Sequence, residues 1–423
     1  MEKGLFLTTS FYSIGIVVAI TFALILQPLA LHVHAIPEES REVADSAKVK
    51  DQYIVVLKSD AKEGPKEAAE KAKEKGADVL HVYEHAIKGF AIKANEKALE
   101  AISNNPHVDF VEHDQVVQTF AQVLPRGINR VDGDLSSATS GNGIGTVNID
   151  IAIIDTGVQL NHPDLYVYRH VTFVTGTTSG NDDNGHGTHV AGIAAAKDNT
   201  QGVVGMAPGA RLWAVKVLDK NGSGYMSNVI KGIDYVTMNA RQVDVANMSL
   251  GCQCTSSALN IALHKSVLAG VTYVVAAGNN GKDASSFSPA NHPDVITVSA
   301  IVDTDGKCGG LGTTVTYGKD DTLASFSNYG SVVDVAAPGV SILSTWKGST
   351  YATASGTSMA SPHVAGAAAL FNSANPSASP ADIKSALQSA GSKPSTNCDG
   401  KGKGYFAGDK DAYREPLLYV RTM

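Results

Sequence analysis

A chain of 423 residues that is 43% hydrophobic has ample material for one large globular domain plus an accessory segment. Only 18% of its residues are charged and the net charge is −7, which excludes nucleic acid and anionic membrane surfaces as electrostatic partners. The 41 glycines and 6% aromatics indicate many tight turns and close backbone approaches, as in α/β enzymes, without a low-complexity tract.

Residues 5–26 form a mostly apolar run behind Lys3, whose charge Glu2 offsets, and Val33-His34-Ala35 supplies a small-residue cleavage signature. Residues 1–35 therefore read as an export signal cleaved after Ala35; the run is long enough to span a bilayer, so an uncleaved anchor holding the rest outside is the alternative. Residues 36–50 are polar and read as a linker. Strand, helix, two strands, helix and strand are then predicted over 53–57, 65–76, 79–83, 90–93, 96–102 and 108–111, the order of a ferredoxin-like α+β module.

The stretch 122–146 is glycine-rich, but its Gly141-Asn142-Gly143-Ile144-Gly145 precedes a strand instead of following one, so a dinucleotide fingerprint is rejected. Residues 149–154 form an apolar run, as in a fully buried parallel strand, with Asp155-Thr156-Gly157 at its carboxyl end. Asn184-Gly185-His186-Gly187-Thr188-His189-Val190-Ala191-Gly192 leads into a small-residue helix. His186 and His189 lack the glutamate and the spacing of a zinc-protease motif. Strands over 212–218, 243–248, 271–277, 295–300 and 332–336 alternate with helices over 226–239, 258–269 and 380–390, which predicts a mainly parallel twisted sheet covered by helices on both faces. Gly356-Thr357-Ser358-Met359-Ala360-Ser361-Pro362 opens one further helix, with Pro362 expected in its first turn. Ser358 then stands at a helix N-terminus, where free N–H groups stabilise negative charge beside its hydroxyl. Cys252, Cys254, Cys308 and Cys398 allow three pairings; a Cys252–Cys254 ring and pairing with distant partners both stay open.

A serine hydroxyl needs a base to take its proton, and that base needs a partner to fix its tautomer. Asp155, His186 and Ser358 supply the types in the chain order Asp, His, Ser, which is the order given for subtilisin. An esterase elbow would require a second glycine that Gly356-Thr357-Ser358-Met359-Ala360 lacks. The three motifs resemble the catalytic signatures of the subtilisin-like serine proteases, and Tyr53 to Asp114 resembles that family's inhibitory pro-domain.

The resemblance implies a secreted serine endopeptidase made as an autoprocessed zymogen, with residues 51–120 as pro-domain and 121–423 as catalytic domain. It implies Ser358 as nucleophile, His186 as base then acid, Asp155 as the residue orienting it, and Asn279 as the oxyanion-hole side chain. Gly222, Ser223, Gly224, Ser249, Leu250 and Gly251 match the segments that pair with an extended substrate; Cys252 departs from the glycine many relatives carry. A structural calcium ion is implied at Gln122, Asp164 and Asn199, with the carbonyls of Lys197, Gln201 and Val203. The implied partners are polypeptide substrates and the chain's own pro-domain, with no nucleic acid and a monomeric state. Cleavage is expected between Phe120 and Ala121, which would put Phe120 in S1 and Val117 in S4.

Overall fold

The computed structural model describes residues 48–115 and 122–423. The expected export signal or anchor, most of the linker and the expected cleavage point lie outside the described residues. The chain divides into two compact units at the Thr119–Phe120 junction.

The first unit runs β1 (Lys48–Leu57), α1 (Pro65–Glu74), β2 (Asp78–Tyr83), β3 (Gly89–Lys93), α2 (Glu96–Ser103) and β4 (Val108–Gln115). Its antiparallel sheet has the order β2-β3-β1-β4. Pro65 opens α1, and the Asn95 side chain caps α2 by accepting from the Ala98 N–H. Val55, Phe90 and Ile92 on the central strands pack with Ala69 of α1 and Ile102 of α2, the one apolar layer so small a module can build. Strand β1 begins before the expected linker has ended.

The second unit continues through α3 (Arg126–Arg130), β5 (Asp150–Asp155), β6 (Val167–Thr172), α4 (His186–Ala195), β7 (Arg211–Lys216), α5 (Met226–Met238), β8 (Val245–Met248), α6 (Ser257–Leu268), β9 (Thr272–Ala276) and β10 (Ile296–Val302). It ends with β11 (Thr322–Leu323), β12 (Val335–Pro338), β13 (Ile342–Trp346), β14 (Thr350–Ala354), α7 (Thr357–Ala374) and α8 (Pro380–Ala390). Strands β6-β7-β5-β8-β9-β10 form a parallel sheet; β12 adds parallel and β11 antiparallel to β10. Buried on both faces, β5 reads as a continuous apolar run: Ile151 and Ile153 face the layer containing α4 and α7, while Ala152 and Ile154 face α5 and α6. The chain leaves β5 toward β7 and β6 on one side and resumes at β8 on the other. The crevice at the carboxyl ends of β5 and β8 is therefore the topological switch point, where ligands bind in open α/β sheets.

Helix α7 runs through the interior because its residues are small. A side chain added at Gly366 would collide with Met206 and with the Ala194 carbonyl at the end of α4, so glycine here is what lets the helices approach. The β13–β14 hairpin and the edge strand β6 are not expected from the sequence. Disulfides join Cys252 to Cys254 and Cys308 to Cys398, settling the pairing. Residues 391–423 are irregular yet docked. Arg130, wholly buried, ion-pairs with Asp321 at 2.7 Å and donates to the carbonyls of Gly402 (2.7 Å) and Gly404 (3.3 Å).

Arg130→Met would strand the Asp321 charge in the interior. The expected loss is about 3–5 kcal/mol of unfolding free energy, the range for breaking a buried pair from one side. Denaturant unfolding of a full-length Ser358→Ala background checks it, and a loss below about 1 kcal/mol would show the pair to be dispensable.

Candidate active site

Asp155 ends β5 inside the switch-point crevice. Its Oδ1 accepts from the Thr156 N–H at 2.7 Å and from His186 Nδ1 at 2.8 Å. That bond fixes the proton on Nδ1 and leaves Nε2 as the ring's acceptor. His186 is the first residue of α4, and Gly187 beside it has no room for a side chain, which would meet the Gly157 carbonyl and the Asp155 Cβ. Asp182 fixes the loop before it by accepting from Thr156 Oγ1 (2.9 Å), the N–H groups of Asn184 (3.0 Å), Gly185 (2.9 Å) and Thr188 (2.9 Å), and Thr188 Oγ1 (2.6 Å). Burial disfavours the imidazolium of His186, but the Asp155 carboxylate, with Asp182 beyond it, outweighs that and holds the pKa above the ordinary histidine value. His189 turns elsewhere: its Nε2 reaches the hairpin carbonyls of Ile342 (3.1 Å) and Ala352 (3.0 Å), and burial lowers its pKa to about 4. It is a neutral structural histidine.

Ser358 is the second residue of α7. Pro362 sits in the second helical turn, not the first as expected, and has no N–H to offer the Ser358 carbonyl. The Ser249 hydroxyl takes that place, donating to the Ser358 carbonyl at 2.9 Å, while the Ser358 hydroxyl donates to the Ser249 carbonyl at 3.2 Å. Asn247, in β8, positions the pair by donating to Ser249 Oγ (2.9 Å) and accepting from Ser361 Oγ (2.7 Å). Asn279 follows β9, and its Oδ1 accepts from the Thr357 N–H (2.8 Å) and Thr357 Oγ1 (2.9 Å). The amide is thereby oriented with Nδ2 as its donor. Asn328 braces the same loop by donating to the Ala277 carbonyl (2.8 Å) and accepting from the N–H groups of Asn280 and Lys282 (both 3.0 Å).

His186, Ser358, Gly222, Ser223, Gly224, Ser249, Leu250 and Gly251 line one cavity of about 770 Å³, to which Leu218, Val229 and Leu259 add apolar wall. A second cavity of about 390 Å³ adjoins it, bounded by Asn279, Ser358, Ala276, Ala277, Phe287 and Ala290, with no charged side chain in its wall. Cys252 exchanges backbone hydrogen bonds with Ser288 (2.9 and 3.0 Å), making the disulfide turn part of the wall between the two.

The residues expected at a cation site gather around the buried Asp164. Its Oδ1 accepts from Asn199 Nδ2 (2.8 Å), and its Oδ2 from the Val203 N–H (3.0 Å) and the Tyr351 hydroxyl (3.3 Å). Gln122 Nε2 donates to the carbonyls of Lys197 (2.7 Å) and Val203 (3.4 Å), and Gln201 gives its N–H to Asn199 Oδ1 (2.7 Å). Lys197 sends its ammonium to the Pro163 carbonyl instead. Burial raises the Asp164 pKa despite these bonds. Amide N–H dipoles thus face a carboxylate and two carbonyls, an oxygen set suited to a hard cation, toward which each amide would turn an oxygen by rotating about its last bond.

Sequence reasoning misses Asp182, Lys216, Asn247 and Asn328. The visible signals are Asn247 and Lys216, polar residues interrupting otherwise apolar buried strands.

Residues 146–404 match the profile of the subtilase family (peptidase S8), and residues 52–120 match peptidase inhibitor I9. The chain is 40% identical to the alkaline protease of Shouchella clausii over 326 residues, covering 77% of this chain and 80% of that one. It is 37% identical to subtilisin E of Bacillus subtilis over 379 residues, covering 88% and 92%. A solved cold-adapted subtilisin-like serine proteinase superposes with a TM-score of 0.58 at 33% identity, over 71% of this chain and 98% of the other. A parallel sheet with its active groups at the switch point, preceded by an inhibitor-type module, thus has its relatives along most of its length, and the chain belongs to the subtilase family of serine endopeptidases.

Proposed function

We propose that the protein is a secreted endopeptidase that acts through Asp155, His186 and Ser358 and matures by cutting its own chain between Phe120 and Ala121. The observation that carries this reading is the Asp155–His186 hydrogen bond at 2.8 Å opening onto a cavity that Ser358 also lines. Ser358 Oγ attacks the scissile carbonyl carbon as its proton passes to His186 Nε2, which requires the hydroxyl to turn from the Ser249 carbonyl. Such bonds are commonly long before substrate arrives. The carbonyl oxygen becomes an oxyanion that Asn279 Nδ2 and the Ser358 N–H stabilise. His186 then protonates the departing amine, and water repeats the sequence on the acyl-enzyme. Gly222 to Gly224 and Ser249 to Gly251 pair with the extended substrate as added strands.

The uncharged 390 Å³ cavity favours a large apolar P1 side chain, and the apolar residues Leu218, Val229 and Leu259 lining the larger one favour an apolar P4. Phe120 and Val117 are such residues at the expected spacing. The inhibitor module, once cut, stays bound as a product inhibitor until degraded. Export is supported by the leader composition; among the described residues no helix is long and apolar enough to cross a membrane. Gln122, Asp164 and Asn199, with carbonyls of Lys197, Gln201 and Val203, would hold calcium, which would tie the mature N-terminus to two distant segments.

Ser358→Ala should abolish turnover and leave the precursor intact, while N-terminal sequencing of the active wild type should start at Ala121. Asn279→Leu should fold normally and lose on the order of a hundred- to a thousandfold in kcat, the effect known for subtilisin's own asparagine. Near-normal peptide hydrolysis by either variant, or a start several residues from Ala121, would refute the corresponding assignment. The base must be neutral to act, and its folded pKa is raised, so kcat/KM should fall as pH drops through a midpoint above about 6.5. A pH–rate profile with its acid limb at or below that value would count against His186 as base. Chelation should lower thermal stability and speed autolysis, and Asp164→Ala should reduce that sensitivity, because ligand binding stabilises the folded state by mass action. Coincident melting curves with and without chelator would rule out calcium at this site.

A further inference from the structure

Strand β10 runs directly into Asp303-Thr304-Asp305-Gly306, the start of a loop that returns at Asp320 and Asp321. Carboxylate oxygens of Asp303, Asp305 and Asp320 lie within 4.8 Å of one another. Asp303 is only 3% exposed; its Oδ1 accepts from the Gly306 N–H at 3.0 Å, and its Oδ2 is buried without any hydrogen-bond partner. Asp320 is also buried, fixed by Thr304 and the Gly312 N–H. The neighbouring cation, Arg130, is engaged by Asp321, and no described side chain forms an ion pair with the three carboxylates. A desolvated carboxylate oxygen with no donor, beside two more carboxylates, is a costly arrangement unless a positive charge occupies the gap.

We propose that Asp303, Asp305 and Asp320 form a calcium-type divalent cation site, separate from the one at Asp164. Two carboxylates on one turn and a third from the returning end of the loop, with Asp305 the most open, leave room for water to complete the six to eight oxygens calcium takes. The bound ion closes the base of the 303–320 loop. That loop carries Cys308, bridged to Cys398, and ends one residue before Asp321, which grips Arg130 and through it the Gly402 and Gly404 carbonyls. The ion would therefore brace the docking of the C-terminal segment, remote from the catalytic cleft.

The test uses the full chain carrying Ser358→Ala, with calcium stoichiometry by equilibrium dialysis and melting curves in chelator and in millimolar calcium. Asp303→Asn and Asp305→Asn should each bind one equivalent fewer than the parent. Asp164→Ala should lose a different equivalent, so that the double variant Asp164→Ala/Asp305→Asn loses both. In chelator, Asp305→Asn should leave the melting temperature unchanged or raise it by relieving repulsion; in calcium it should lower it. Asp305 is the partly open member, so its variant tests the site even if Asp303→Asn fails to fold. Unchanged stoichiometry in Asp305→Asn, or an equal melting shift with and without calcium, would overturn the site whatever the outcome at Asp164.

Discussion

The catalytic end of this molecule hangs on charges buried at the edge of a sheet. Asp155 and Lys216 are partners in register on β5 and β7, and both are inaccessible to water. Lys216 does not pair with Asp155; its ammonium donates to the Thr156 carbonyl (2.7 Å), the Leu218 carbonyl (2.8 Å) and Asp183 (2.6 Å). Next to it, Asp182 gathers the donors of Thr156, Gly185 and Thr188. These bonds tie the end of β5, the loop before His186 and the segment after β7 into one unit. Ionised groups can stay there only because each finds its partners, and those partners dictate the path of the backbone. The position of the imidazole over Asp155 follows from that path.

A second constraint joins the serine to the amide across from it. Thr357 gives its N–H and hydroxyl to Asn279 and accepts from the Gly278 N–H at 3.1 Å, so the loop after β9 and the first turn of α7 move as one body. The walls of the adjoining cavity are different in kind. The 221–224 segment is exposed, as are Tyr225 and Gly251, and these lie on loops outside the sheet. A densely hydrogen-bonded site and exposed walls thus lie on different parts of the chain.

Much of this architecture is legible in the amino-acid sequence because it rests on local composition. The apolar run ending at Asp155 has the composition of a strand buried on both faces, and Gly187 beside His186 marks a place where backbone crowds backbone. The ferredoxin-like order of the first unit follows from alternating periodicities. What stays hidden depends on contacts distant in sequence. Strand β6, Val167 to Thr172, is a half-exposed edge with Arg169 and His170 in its middle, so it lacks an apolar signature. The β13–β14 hairpin turns through Gly348 and Ser349, both at positive φ; these are turn residues, but the flanking strands are rich in serine, threonine and alanine and lack the apolar alternation that would mark a hairpin. By the rule for helix starts Pro362 reads as a first-turn residue, yet α7 begins five residues earlier because Ser249 supplies the missing hydrogen bond. No rule of spacing joins Cys308 to Cys398 across 90 residues.

That proline sets up a local trade-off. Any other residue at 362 would restore an N–H to the helix ladder, and on propensity alone the helix should gain. The restored donor would compete with the Ser249 hydroxyl for the Ser358 carbonyl, loosening the reciprocal pair that holds Ser358 beside the end of β8. A change that improves the helix would therefore weaken its tie to the sheet at the residue proposed as nucleophile. Position 362 is one at which selection for a more stable fold and selection for a faster enzyme pull in opposite directions.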